Sequence, residues 1–187
     1  DGIVYYEFDR DKHVSPEVNK QGGTVFIGMD FNVDPMTAVV CQMINNQFHI
    51  IDEVFLRNSD TPKMVHELKK RGYGGARIIP DSTGKNRKTS GQSDFDILKQ
   101  DFVIENVFNP FVTDRVNNIN RLLKANRIKI NTKCKKLQND LEQVSWKDNK
   151  LDQKGESKML THISDCLGYI AWKIDPISGR ARQPIRL

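Results

Sequence analysis

The chain has 187 residues, 37% hydrophobic and 28% charged, with a net charge of +5. That is enough apolar material for one domain-sized core, with a basic excess that suits a polyanionic partner without requiring one. No apolar run approaches the roughly 18 residues of a membrane span, residues 1–18 lack the basic-then-apolar order of a secretion signal, and Cys41, Cys134 and Cys166 are scattered with no CxxC pair, which excludes a disulfide framework and a cysteine zinc site and points to reduced thiols in a cytoplasmic protein.

Residues 1–22 read as a mixed polar and aromatic leader closing in "NKQGG". Because the chain opens at Asp1 without an initiator methionine, it is expected to be part of a longer protein. Residues 24–31 are apolar on both faces, as in a central strand. Residues 36–44 and 47–56 are β-branched and apolar, and Asn45-Asn46 between them predicts a tight turn. The three together predict an antiparallel meander. The period then changes. In "SDTPKMVHELKKRG" Asp60 or Thr61 caps a helix, Pro62 sits in its first turn and Gly72 stops it. "ARIIP" (76–80) is a short buried strand that runs into the polar loop "DSTGKNRKTSGQS".

A helix near 93–100 and a strand near 102–108 follow. Residues 113–125 place Val116, Ile119, Leu122 and Leu123 on one helical face. "RIKI" predicts another short strand, 132–144 another helix, and "WKDNKLDQKGESK" a polar hairpin or loop. "MLTHISDCLGYIAWKI" (159–174) is the last strong helix, and the tail from 176 to 187 is basic. A meander followed by βαβ units predicts an α/β fold: a mixed sheet, with parallel strands after the three-strand meander and helices on both faces.

Three aspartates occupy matching places in this layout. Asp30 ends the first strand, Asp81 ends the fourth, and Asp165 lies in the last helix on a stripe with His162, Tyr169 and Trp172. The first and fourth strands are expected to be neighbours, so two carboxylates meet at one sheet end and a crossing helix supplies a third. Carboxylates so placed need a counter-charge, and all-oxygen clusters suit Mg²⁺ or Mn²⁺. Two such ions would clamp the attacking and leaving oxygens of a phosphodiester. Taken singly, each aspartate has an ordinary role as a turn former, a helix cap or an exposed charge.

"VFIGMDFNVDPMTAVV", "IIPDSTG" and "THISDCLGYIAW" resemble the three acidic motifs of the nuclease domain of tailed-phage terminase large subunits. "VYYEFDRDKHV" resembles the segment that follows the ATPase domain in those proteins. The resemblance implies an RNase H-like fold over 23–175, two-metal cleavage of double-stranded DNA during packaging, and Asp30, Asp81 and Asp165 as metal ligands. It also implies an ATPase domain, a portal and a small subunit as partners in the full-length protein, acting in the host cytoplasm, with the isolated domain monomeric. "STGKNRKTSG" lacks GxxxxGK[ST] and is no P-loop.

His162, one turn before Asp165, is a candidate for proton transfer or for orienting a water. Asp34 is a candidate extra ligand and Glu53 a candidate strand acid. Lys85, Arg87 and Lys88 after Asp81, with Lys147, Lys150 and Lys154 in the hairpin, are candidate DNA-phosphate contacts or plain solvated charges. Two other readings stay open: another RNase H-like enzyme of resolvase or transposase type, and a non-catalytic DNA-binding or portal-docking module.

Overall fold

The computed structural model describes residues 2–86, 89, 91–105 and 108–177. Its centre is the expected meander: β2 (Phe26–Asp30), β3 (Met36–Ile44) and β4 (Gln47–Leu56), antiparallel in turn. Asn45 and Asn46 both take positive φ (49° and 63°) in the β3–β4 turn, a conformation asparagine adopts more readily than most residues. β5 (Arg77–Pro80) pairs parallel with β2, and the two-residue β6 (Val103–Ile104) pairs parallel with β5. β7 (Ile128–Asn131) adds parallel to β4, and β1 (Val14–Ser15) closes that edge, giving the order β1-β7-β4-β3-β2-β5-β6. The mixed sheet with parallel strands flanking an antiparallel meander is as predicted. Of the strand expected over 102–108, Val103 and Ile104 alone pair among the described residues, and residues 106 and 107 lie outside the described part.

Helices cover both faces. On one side α2 (Thr61–Lys70), capped by Asp60 onto the Lys63 N–H at 3.0 Å, buries Met64, Val65 and Leu68, and α3 (Asp94–Leu98) buries Leu98. On the other lie α4 (Val112–Lys124), α5 (Lys135–Gln143) and α6 (His162–Ile174). α6 begins later than the apolar pattern suggested, because Gly155–Met159 forms a separate 3₁₀ turn. It lies across β2 and β3 and buries Ile163, Leu167 and Ile170 completely or nearly so, each contributing about 1.5–3 kcal/mol of hydrophobic stabilisation. The polar hairpin is present as β8 (Trp146–Lys147) and β9 (Lys150–Leu151).

Residues 2–22 share the core. Val4 and Tyr5 are buried among α4, α5 and α6, and the Val4 N–H donates to Val144 O at 2.9 Å. The short α1 (Arg10–His13) ends in His13, whose ring is buried with Nε2 at 2.9 Å from Leu123 O. Of the basic tail, residues 178–187 lie outside the described residues.

The seating of α6 depends on Gly28. A Cβ at that position would stand 2.1 Å from Cys166 O and 2.9 Å from Ile170 Cγ1. Only the missing side chain lets the helix backbone rest on β2. Gly28→Ala must push α6 outward or bend β2, and is expected to destabilise the domain by about 3 kcal/mol, the upper end of overpacking costs. Urea unfolding of the two proteins tests this; equal midpoints would show that the helix yields freely.

Candidate active site

Strand alternation and sheet pairing place the aspartates. Gly28 touches α6 and Met29 belongs to the opposite core, so Asp30 faces α6 from the carboxyl end of β2. Met29 pairs with Pro80, and the Asp81 N–H donates to Met29 O at 2.9 Å, which extends the ladder by one residue. Asp81 therefore leaves β5 beside Asp30. The carboxyl ends of neighbouring parallel strands are where open α/β sheets bind ligands.

α6 brings the other two groups. Thr161 enters the helix with φ at +78°. A β-branched residue there costs on the order of 1–3 kcal/mol. It is held by Gln153 Nε2, which donates to Thr161 Oγ1 at 2.6 Å, and by the Asp165 N–H, which donates to Thr161 O at 2.8 Å. This sharp entry starts the helix at His162 beside Asp30, with His162 Nδ1 3.0 Å from Asp30 Oδ2. The hydrogen bond to Asp30 pushes the imidazole pKa up, against the opposing effect of burial.

Asp165 is paired with Arg115 of α4, Nη2 to Oδ1 at 2.6 Å. Arg115 is 5% exposed and stacks its guanidinium 5.0 Å from the Tyr169 ring centre. Its aliphatic stem lies where a Cβ on Gly168 would be, 2.3 Å from Cδ. Burial pushes the Asp165 carboxyl up to about 6; Arg115 pulls it down and Asp30 pushes it further up. Asp81 Oδ1 accepts from the Thr83 N–H (3.0 Å) and from Asn109 Nδ2 (2.8 Å), while Asn109 Oδ1 accepts from the Ser82 N–H.

In all three aspartates the hydrogen bonds fall on one oxygen: Oδ2 of Asp30, Oδ1 of Asp81 and Oδ1 of Asp165. The other oxygen of each accepts no hydrogen bond from the described residues. That donor set, carboxylate oxygens with a neighbouring imidazole, fits a hard divalent cation. The side chains line one rim without converging: among the described residues no three His, Cys, Asp or Glu groups are gathered tightly enough to hold an ion as they stand.

The remaining candidates are spread. Asp34 is turned to Arg57 (Nη2 to Oδ2, 3.1 Å) and to the Asn58 N–H, and the Arg57 hydrogen bond draws its pKa down. Glu53 accepts from the Lys136 and Leu137 N–H groups at 2.8 and 2.9 Å, which makes it the anion at the N-terminus of α5. Lys85 ends the 3₁₀ turn that follows Asp81. Lys147 and Lys150 face each other across the exposed hairpin, and Lys154 is exposed just beyond it. Arg87 and Lys88 lie outside the described residues.

Sequence reasoning missed Arg115 and Asp140. Asp140 Oδ2 accepts from the Ser164 N–H at 3.1 Å, behind Asp165. The signal for both was present: Arg115 stands at helical spacing with Ile119 and Leu122, and Asp140 with Leu137 and Leu141. A charge on an apolar stripe is buried and has a partner.

This sheet order, with carboxylates at the ends of the central parallel pair and on the helix that crosses them, defines an RNase H-like domain. Within that class the chain belongs to the terminase RNaseH-like domain family, whose sequence pattern matches residues 27–171. Among solved structures it is similar to the P22 large terminase nuclease domain (11% identity, TM-score 0.71, covering 90% of each chain). It is also similar to the nuclease domain of the bacteriophage SPP1 large terminase, solved with bound Mn (17% identity, TM-score 0.60, covering 86% of this chain and 94% of that one). The large terminase of a thermophilic bacteriophage matches at 18% identity and a TM-score of 0.68 over 92% of this chain. The chain spans 45% of the length of that protein. No curated protein sequence matches it.

Asp140 has a testable titration. Burial pushes its carboxyl up to about 7, above the ordinary value of about 4. Between those values the folded state holds a proton that the unfolded chain has released, so Asp140 costs stability progressively as the pH rises through that window. Asp140→Asn removes this cost while keeping an acceptor for Ser164. Its stability relative to wild type is expected to rise from pH ~4 to pH ~7, measured by urea unfolding of the metal-free proteins. A pH-independent difference would place the Asp140 pKa in the ordinary range.

Proposed function

We propose that this domain is an endonuclease that cleaves double-stranded viral DNA during genome packaging, with Asp30, Asp81 and Asp165 holding Mg²⁺ or Mn²⁺. The observation that carries the reading is the common rim: aspartates from two parallel strand ends and from the helix seated over them, each with one oxygen that accepts no hydrogen bond from the described residues. The manganese in the related SPP1 domain supports it. Bound there, two divalent ions would supply a water activated at neutral pH and a Lewis acid for the leaving 3′ oxygen.

The chain's own residues prepare that chemistry. Asn109 fixes the Asp81 carboxylate by holding Oδ1 and by bracing the Ser82 backbone. Arg115 supplies the positive charge that keeps the largely desolvated Asp165 available as an anion. Asp30 orients the His162 ring through Nδ1 and favours its protonated form, which suits His162 to carry a proton at the rim. Lys85, Lys147 and Lys150, together with Arg87 and Lys88, hold the duplex by its phosphates. Such contacts carry no base information, so sequence preference is weak. A net charge of +5 is small for a tight DNA binder; the full-length protein gains its hold on DNA from an ATPase domain, a portal and a small terminase subunit, in the host cytoplasm.

Cleavage of supercoiled plasmid tests the proposal. Mg²⁺ or Mn²⁺ is expected to support nicking and linearisation, and Asp30→Asn, Asp81→Asn and Asp165→Asn each to reduce it to background while the circular dichroism spectrum is unchanged. A variant that cuts at the wild-type rate removes that aspartate from the site. In the same assay the rate is expected to fall steeply with added salt, by counterion release. Charge reversal at Lys85, Lys147 and Lys150 is expected to weaken DNA binding without changing Mn²⁺ affinity. A salt-independent rate would return those lysines to the role of solvated surface charges.

A further inference from the structure

Arg115 does more than neutralise. It reaches Asp165 from a different helix, through a slot left open by Gly168, and is braced on the face of Tyr169. It is almost wholly buried, and its Nε has no hydrogen-bond partner among the described residues. The guanidinium therefore gives up a donor to place Nη2 on one oxygen, Oδ1, at 2.6 Å, a short contact even for a charge-assisted bond. Slot, stack and ion pair leave Arg115 little freedom to leave that oxygen.

Divalent ions differ in what they ask of a carboxylate. Mg²⁺ is small, octahedral and takes carboxylates through one oxygen. Ca²⁺ is larger, gathers more oxygens and readily takes both oxygens of one carboxylate. We propose that Arg115 is a specificity-determining residue: by occupying Oδ1 it restricts Asp165 to one-oxygen coordination and so favours a small octahedral ion over Ca²⁺. The inference rests on the reading above that Asp165 is a metal ligand.

The test is a ratio of affinities. Mn²⁺ binding is followed by electron paramagnetic resonance of the free ion, with Ca²⁺ as competitor, for wild type and Arg115→Met. Loss of the guanidinium is expected to shift the ratio toward Ca²⁺ by about tenfold, the lower end of what partners of a metal ligand contribute. Proton competition at Asp165, or a general loosening of the site, lowers both affinities together and leaves the ratio where it was. An unchanged ratio would therefore overturn the proposal.

A second measurement needs no variant: crystals of the wild-type domain soaked separately in Mn²⁺ and in Ca²⁺. Arg115 is expected to stay on Oδ1 with either ion bound through the other oxygen of Asp165. An ion chelated by both oxygens, with Arg115 displaced, would overturn the proposal. A wild-type protein that takes up no Mn²⁺ at Asp165 would instead remove the metal-site reading on which it rests.

Discussion

Everything at the rim depends on how closely α6 lies on β2. Helices on sheets are usually held off by side chains from both surfaces. Here Gly28 contributes none, and the Cys166 carbonyl fills the place a Cβ would take. The approach sets the height of His162 and Asp165 over the ends of β2 and β5. Gly168 repeats the device one layer out, since its missing side chain admits the stem of Arg115 between α4 and α6. Two absent methyl groups thus stack three layers at the spacing that brings a buried cation onto a carboxylate at the rim.

That spacing has an electrostatic cost, and the fold distributes it. Asp140 is buried and Asp165 is largely shielded from solvent, and desolvation raises both carboxyls. Their compensation comes from other segments: Arg115 from α4 and the Ser164 N–H from α6 itself. Tyr5, from the N-terminal segment, lies within reach of the same charges; burial chiefly, and then Asp165, hold its hydroxyl protonated. Taking one member from a buried charge pair costs about 3–5 kcal/mol, far more than a surface ion pair is worth. Pairs such as Arg57 with Asp34, open to solvent at the side, belong to the cheaper kind.

The strands were legible because their periods are local. β3 and β4 run over the residues that their β-branched, apolar composition and the Asn45-Asn46 turn predict. Asp30 and Asp81 were legible because strand-end aspartates follow directly from strand assignment, and Asp165 because it shares a helical stripe with His162 and Tyr169. What escaped sequence reasoning depends on distant partners. Glu53 reads as a strand acid until α5 is seen to begin above it. Arg115 stands on the apolar stripe of α4, which marks it as buried, but its partner Asp165 lies fifty positions away and no local pattern names it. Among the described residues β6 came out short because the apolar residues near 102–108 say nothing of how far their neighbour β5 extends, and β5 is only four residues long. The apolar run at 159 overshot the start of α6 because a helix boundary is decided by the backbone at Thr161.

The N-terminal segment has a practical side. β1 covers the outer edge of β7 with two residues, and Val4 and Tyr5 fill the space over α4, α5 and α6. A fragment trimmed to begin at Gly23 would carry every rim aspartate and still be a poor protein. It would bare the backbone donors and acceptors of β7 as a template for strand addition, and would leave a hollow behind Ser164. Aggregation in such a fragment would report a lost seam, and an inactive one would say nothing about the aspartates.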